Sequence, residues 1–320
     1  MGGIHRPARL HHPHVHPPRT SLMFRTLTLL AATALTVSAQ SPAQTGTIVI
    51  AHGGDSTWNA GVREIAAQAQ TGGPVEVSFL MGPGAATARF QDAVAKLDAK
   101  GVTRIVVVPL LVSSHSGHYE QIRYLAGEDV QLDETMEHHL HMAGIERAAS
   151  RTPIVLTKAL DGSHEMARVL ADRALALVRA QGDEPARRGL LIVGHGPNSA
   201  EDYAGWMANL RPVADSVRAW TGFRDVRLEL VRDDAPAPVR AEAVLRTREL
   251  IEMQRLITGR DAIVVPVLVS KGLVSRDKLP RDIEGTASVY SGDPLLPHPA
   301  MARWVERRVR ESTAMAVTAR

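Results

Sequence analysis

Short apolar runs alternate with amphipathic stretches along most of this chain. Residues 47–51, 75–81, 104–112 and 153–157 read as buried strands, with helices at 57–70, 87–99 and 163–180 and a polar helical stretch from 118 to 149. A polar segment containing Pro and Gly, QGDEPARRG at 181–189, breaks the pattern, which then restarts. Strands are expected at 189–194, 225–231, 261–269 and 287–290, and helices at 199–219, 238–258 and 298–313. Continuous apolar strands linked by helix-length crossovers predict an α/β fold with parallel sheets.

Two pairs of segments show that the restart is a repetition. IVIAHGG (48–54) matches LLIVGHGP (190–197), and RIVVVPLLVSSHSGH (104–118) matches DAIVVPVLVSKG (261–272). The order is strand, His, Gly in each half, so His52 and His195 belong at the carboxyl ends of buried strands, the edge where open α/β sheets bind ligands. Domains are expected at 46–182 and 188–315.

Composition narrows the chemistry. The 320 residues are 44% hydrophobic but only 4% aromatic, which suits a large core built from Ala, Val and Leu. The formal charge of +3 leans on Arg6, Arg9, Arg19 and Arg25, in a stretch without acids, so nothing in the remainder argues for nucleic acid. Residues 1–39 read as a signal peptide: Met23-Phe24-Arg25, an apolar run from Leu27 to Val37, and a small-residue site at Val37-Ser38-Ala39. On this reading Met23 is the true start, the HHPHVHPP run precedes it, and the protein is periplasmic or secreted. Without a functional signal it would be cytoplasmic. No later run is long enough to span a membrane. With no cysteine, any metal site must use His, carboxylate or hydroxyl ligands.

In these features the chain resembles the class II tetrapyrrole chelatases, specifically the two-domain sirohydrochlorin cobaltochelatase and ferrochelatase group of the CbiX and SirB type. The resemblance rests on the strand-His-Gly opening, on the VVPL strand end followed by His, on LVSRDKLPRDI (273–283), and on DPLLPHPAM (293–301) before the last helix. It covers roughly residues 46–315. It implies two tandem flavodoxin-like, three-layer chelatase-like domains facing across a cleft. The macrocycle would lie in that cleft, with histidines at strand ends delivering the metal. Carried over, His52 matches the opening histidine, and SSHSGH offers His115 or His118 as the second.

Metal insertion removes two pyrrole protons, strips water from the ion and holds it against the ring. Neutral imidazole serves both as ligand and as base near physiological pH. Nitrogen ligands suit Co²⁺ or Fe²⁺, and also Ni²⁺, without choosing among them. The expected catalytic and metal residues are therefore His52, His115 and His118, with Glu120 as a further ligand. His195 faces Lys271 rather than a second histidine pair, and is assigned to substrate. A sirohydrochlorin-type ring carries many carboxylates, so Arg123, Lys271, Arg276, Lys278 and Arg281, which follow the third strands, are expected to grip it. His138, His139 and His141 read as a solvated helix, and His164 and His298 as capping or packing residues.

Other classes fit less well. Phosphoglycerate mutases and related phosphatases place Arg before their strand-end histidine, where Ala51 and Gly194 stand here. GxSxG, P-loop and GxGxxG signals are absent, so no nucleotide cofactor is expected. The alternatives are an exported metal- or tetrapyrrole-binding protein on the same scaffold without turnover, and a two-lobed solute-binding protein.

Overall fold

The apolar runs form two four-stranded parallel sheets with one topology, order β2-β1-β3-β4 and then β6-β5-β7-β8. The computed structural model describes residues 44–318, with side chains to 314. The expected signal peptide and the Met23 start lie outside the described residues. The first sheet comprises β1 (Thr45–Ala51), β2 (Val75–Phe79), β3 (Arg104–Leu110) and β4 (Ile154–Leu156), connected through α1 (Ser56–Gln68), α2 (Phe90–Ala99), α3 (Gly117–Leu125) and α4 (Glu134–Ala143). After α5 (His164–Ala180) come β5 (Gly189–Gly194), α6 (Ala200–Thr221), β6 (Asp225–Leu230), α7 (Ala237–Thr258) and β7 (Ala262–Pro266). The chain closes with α8 (Leu279–Asp282), β8 (Ser288–Tyr290) and α9 (Pro299–Thr318).

The central strands have no solvated face, because helices cover both sides. Ile48, Val49, Ile50, Val106, Val107 and Val108 are all fully buried, as are Leu190, Val193, Ile263 and Val264. Each such side chain contributes about 1.5–3 kcal/mol relative to exposure. The connectivity reverses at β1 and β5, which each pair with an earlier-connected and a later-connected strand on opposite sides. That reversal opens a crevice beyond the carboxyl ends of β1 and β3, and another beyond β5 and β7.

The halves share their last helices. α5 packs against α6 and β7, whereas α9 packs against α1 and β3. Trp304, the largest fully buried side chain, thus joins the core formed by the first sheet. Arg307 reinforces this placement with a two-pronged ion pair to Glu165 on α5. Both halves of the described chain accordingly belong to one compact unit.

Two segments depart from the expected elements. The polar stretch 118–149 divides into α3 and α4, because Gly127 adopts φ +95° and Asp133 starts a new helix by accepting a hydrogen bond from the Met136 amide. In the second half, the place of α3 is taken by a π-helical turn, Val274–Lys278, running into α8.

Candidate active site

The strand-His-Gly turn is fixed by its backbone. Gly53 has φ +96°, and a Cβ there would lie 2.2 Å from the Met81 carbonyl oxygen, so no side chain fits. The Met81 amide donates to the His52 carbonyl at 2.9 Å, which anchors the turn to the chain leaving β2. The second half repeats the device. Gly196 has φ +73°, and the Asp233 amide donates to the His195 carbonyl at 2.9 Å.

These turns place His52 and His195 in one cleft of about 540 Å³ between the halves. His118 joins them from the first turn of α3, which Ser116 caps by accepting from the Tyr119 amide. The His52 and His118 rings stand nearly edge to face, with centres 4.6 Å apart. With metal–nitrogen bonds of about 2.0–2.1 Å, two imidazoles on one ion at 90–109° have ring centres roughly 4.5–5.2 Å apart. The pair has the separation a shared ion needs.

Hydrogen bonding fixes which nitrogen each ring offers. His52 Nδ1 lies 2.7 Å from the Gly53 carbonyl oxygen, which can only accept, so Nδ1 carries the proton. Gln121 donates its amide N–H to the Met136 carbonyl at 2.7 Å, which turns its Oε1 toward His118 Nδ1 at 2.8 Å. His118 Nδ1 therefore donates as well. Both rings keep Nε2 unprotonated for a metal or a proton.

Burial keeps these rings neutral. His118 is lowered to about 4, first by desolvation and then by the proximity of His52. His52 is lowered by desolvation, opposed by its bond to Gly53 and by the Asp234 carboxylate. His195 is lowered for the same first reason, with Asp234 again opposing.

The remaining expected residues are placed elsewhere. His115 precedes the Ser116 cap, so it does not share the helical face of His118. Its ring packs against Gly205 of α6, where a Cβ would come within 2.4 Å of it, and its carbonyl accepts from Trp206 Nε1 at 2.7 Å. Glu120 pairs with Arg123 at 2.8 Å, and Arg123 also holds Glu128 at 2.6 Å. Lys278 is engaged by Asp233 at 2.6 Å, Arg276 by Asp55 at 2.8 Å, and Lys271 lies 4.0 Å from Asp293. None of these, nor Arg281, lines the cleft. Among the described residues, no three His, Asp or Glu side chains converge to hold a metal ion.

One histidine in the polar insert has a different setting from its neighbours. His139 stacks on His118 with centres 6.2 Å apart and planes 24° apart, and its Nδ1 is buried without a hydrogen-bond partner. His138 and His141 are exposed. The spacing of Met136, Leu140 and Ala143, which marks the inner face of α4, would have placed His139 on that side. His298 is structural: its Nδ1 accepts from the Ala300 amide at 3.2 Å, and its Nε2 lies 3.4 Å from Asp172. His164 is exposed and meets the Trp220 ring at 4.9 Å.

Twin parallel sheets, a cleft at their switch points and a pair of buried imidazoles define a two-lobed α/β protein with a chelatase-like fold. Residues 46–177 match the CbiX family. Among solved structures, the chain is similar to SirB from Bacillus subtilis with Fe³⁺, at 17% identity and TM-score 0.58, covering 86% of this chain and 98% of that one. It is also similar to DR2241 from Deinococcus radiodurans, a multi-domain protein with structural similarity to chelatases, at 18% identity and TM-score 0.55, covering 83% and 55%. A third is CbiX, the terminal enzyme of siroheme biosynthesis in denitrifying bacteria, at 15% identity and TM-score 0.51, covering 84% and 98%. No curated protein sequence matches. The CbiX match thus lies in the first half of the chain, and across both halves the fold is that of the chelatases. Members of this family take a divalent metal as substrate and a tetrapyrrole as its acceptor. Among the described residues, no helix is long and apolar enough to cross a membrane.

Proposed function

We propose that this protein is a lyase-type chelatase that inserts Co²⁺ or Fe²⁺ into a sirohydrochlorin-type tetrapyrrole without ATP. The observation that carries the reading is the His52–His118 pair, two neutral rings with Nε2 available and 4.6 Å between centres. A two-imidazole shell leaves most of the coordination sphere to water, so the ion can be handed on, whereas a closed four-ligand site would retain it. As the ring binds, two N–H bonds break and metal–nitrogen bonds form. The two protons pass to unprotonated imidazole nitrogens and to solvent as the ion leaves them. The flat ring would lie against Trp58 and Trp206, one from each half, which both line the cleft.

Mixing the full chain with Co²⁺ and sirohydrochlorin and following the visible absorbance tests this. Metallation is expected to outpace the protein-free reaction and to fall to it in His52→Ala. Ring and metal binding without acceleration would favour the second reading, a binding protein on a chelatase scaffold. That reading draws on the signal-like residues 23–39, since export would separate the protein from a cytoplasmic assembly line. Mass spectrometry of the mature N-terminus tests export directly, with Gln40 expected first.

A further inference from the structure

The loop that carries His118 into the cleft is held from behind by both halves. As it leaves β3, the carbonyls of Leu111 and Val112 accept from the Leu160 and Asp161 amides at 3.0 and 2.9 Å. Asp161 itself has φ +46°, a left-handed conformation uncommon for a residue with a side chain. Its carboxylate grips the loop: Oδ1 accepts from the Ser114 amide at 2.6 Å, and Oδ2 from the Ser114 hydroxyl at 2.8 Å. The second half supplies the other jaw, from α6. Asn209 Nδ2 donates to Asp161 Oδ1 at 3.0 Å and to the fully buried Ser113 hydroxyl at 3.1 Å, and that hydroxyl also accepts from the His115 amide. One turn earlier, Trp206 Nε1 donates to the His115 carbonyl, and the bare Cα of Gly205 admits the His115 ring.

The repeat supplies an internal reference. In the second half Ser270 stands for Ser113 and Lys271 for Ser114. Ser270 donates its hydroxyl to the Trp58 carbonyl on α1 at 3.0 Å, and Lys271 lies 4.0 Å from Asp293. The closed clamp therefore stands at the lip that presents His118, and its looser counterpart at the lip that presents no imidazole. We propose that Asn209 and Trp206, together with Asp161, are positioning residues for the metal pair. Through residues 113–116 they fix the start of α3, and with it the separation of the His118 and His52 rings. The proposal rests on the reading of His52 and His118 as that pair and says what holds it. Asn209 and Asp161 lie behind the cleft wall, so they act through the loop and not on substrate. Two imidazoles that share an ion must be placed to a fraction of an ångström, and affinity falls when their support slackens. The second half, whose α6 follows directly from the His195 turn, thus sets the metal geometry of the first.

Titration of the full chain with Co²⁺, read by calorimetry and by the visible bands of the bound ion, tests this. Asn209→Leu keeps the side-chain size but removes both donors, and Co²⁺ affinity should fall about tenfold, with altered bands. Gly205→Ala favours the helix, yet its Cβ would come within 2.4 Å of the His115 ring, and it should weaken Co²⁺ in the same way. Asn209→Asp sets a second carboxylate against Asp161 and should also lose affinity, whereas adding Asp161→Asn exchanges the two partners and should recover it. Arg307→Gln breaks an ion pair outside the cleft and is the reference for plain destabilisation, with a lower thermal midpoint and unchanged affinity expected. Unchanged affinity in both Asn209→Leu and Gly205→Ala would overturn the proposal, as would an equal loss in Arg307→Gln. If the unsubstituted chain binds Co²⁺ no better than His118→Ala does, the metal-pair reading fails instead. The His118 ring resonances of the metal-free chain then decide the clamp alone: a shift in Asn209→Leu upholds it, and resonances left in place overturn it.

Discussion

The two halves repeat one turn but put it to different use. In the first, His52 at the end of β1 meets His118 at the start of α3, and Gly53 and Gln121 set both tautomers. In the second, His195 occupies the place of His52, but the segment after β7 runs through Gly272 and Leu273 into a π-helical turn and brings no imidazole. Asp233 and Asp234 line the cleft with His195 instead. A duplicated scaffold can therefore hold metal on one lip and supply charge and wall on the other. The difference arises not in the strands but in a few residues after them.

The largest expected effect tests that asymmetry. His52→Ala or His118→Ala should each lower metal insertion by about 10²–10⁴, the range of a positioned general base. His195→Ala should cost no more than about tenfold, as befits a group that shapes the cleft. Metallation rates measured side by side decide it, and comparable losses in all three variants would mean that the halves are functionally equivalent.

A smaller effect tests the support behind the imidazoles. Gln121→Leu removes the acceptor for His118 Nδ1–H and the donor to the Met136 carbonyl. Metal affinity, measured by calorimetric titration with Co²⁺, should fall about 10–100-fold, as when an outer-shell partner is lost. Ser275→Ala in the second half removes a hydroxyl bonded only to Gly272, and should leave Co²⁺ affinity unchanged.

This asymmetry was partly legible in the sequence. Apolar runs and strand-His-Gly turns are local patterns, and they placed both sheets, both turns and His52. The choice between His115 and His118 was not legible, because it depends on which of Ser113, Ser114 and Ser116 caps α3, and only the Ser116 cap puts His118 in the first turn that lines the cleft. The cations after β7 were assigned to substrate because sequence offers no view of distant carboxylates. Arg276 meets Asp55, which lies 221 residues away. His139 was hidden by the polarity of its neighbours, although its own helix face is apolar. The exchange of α5 and α9 was invisible for a different reason: an amphipathic helix states how much it buries, not which sheet receives it.

Acid should sharpen the comparison further. In the folded chain His52, His118 and His195 are held below the ordinary 6.5, whereas in the unfolded chain they titrate there. Between those values the unfolded state binds more protons, so stability is fully present above pH 6.5 and declines as pH falls toward about 4, the His118 value. Denaturant midpoints at pH 7.5 and 5 should show the decline, and His118→Gln should reduce it. Metal binding has the same sign, since protons compete for Nε2. Co²⁺ affinity should pass through pH 6.5 with little change and weaken only as His118 begins to charge.

The smallest effect concerns an ion pair at the mouth that joins the lips, Asp55 with Arg276 at 2.8 Å. Both side chains are about half exposed, with 44% and 40% of their surface accessible, so the pair is worth about 0–1 kcal/mol. If Arg276 serves only this contact, Asp55→Asn and Arg276→Gln should shift the thermal midpoint equally and slightly, and the double variant should add nothing further. If Arg276 instead grips a ring carboxylate, Arg276→Gln alone should raise KM for sirohydrochlorin, and Asp55→Asn, by freeing the guanidinium, should lower it. The structure favours the first outcome, because an arginine already satisfied by the opposite lip has less to gain from the substrate. Opposite shifts in KM would move the substrate-gripping role back to the second half and weaken the division of labour between the halves.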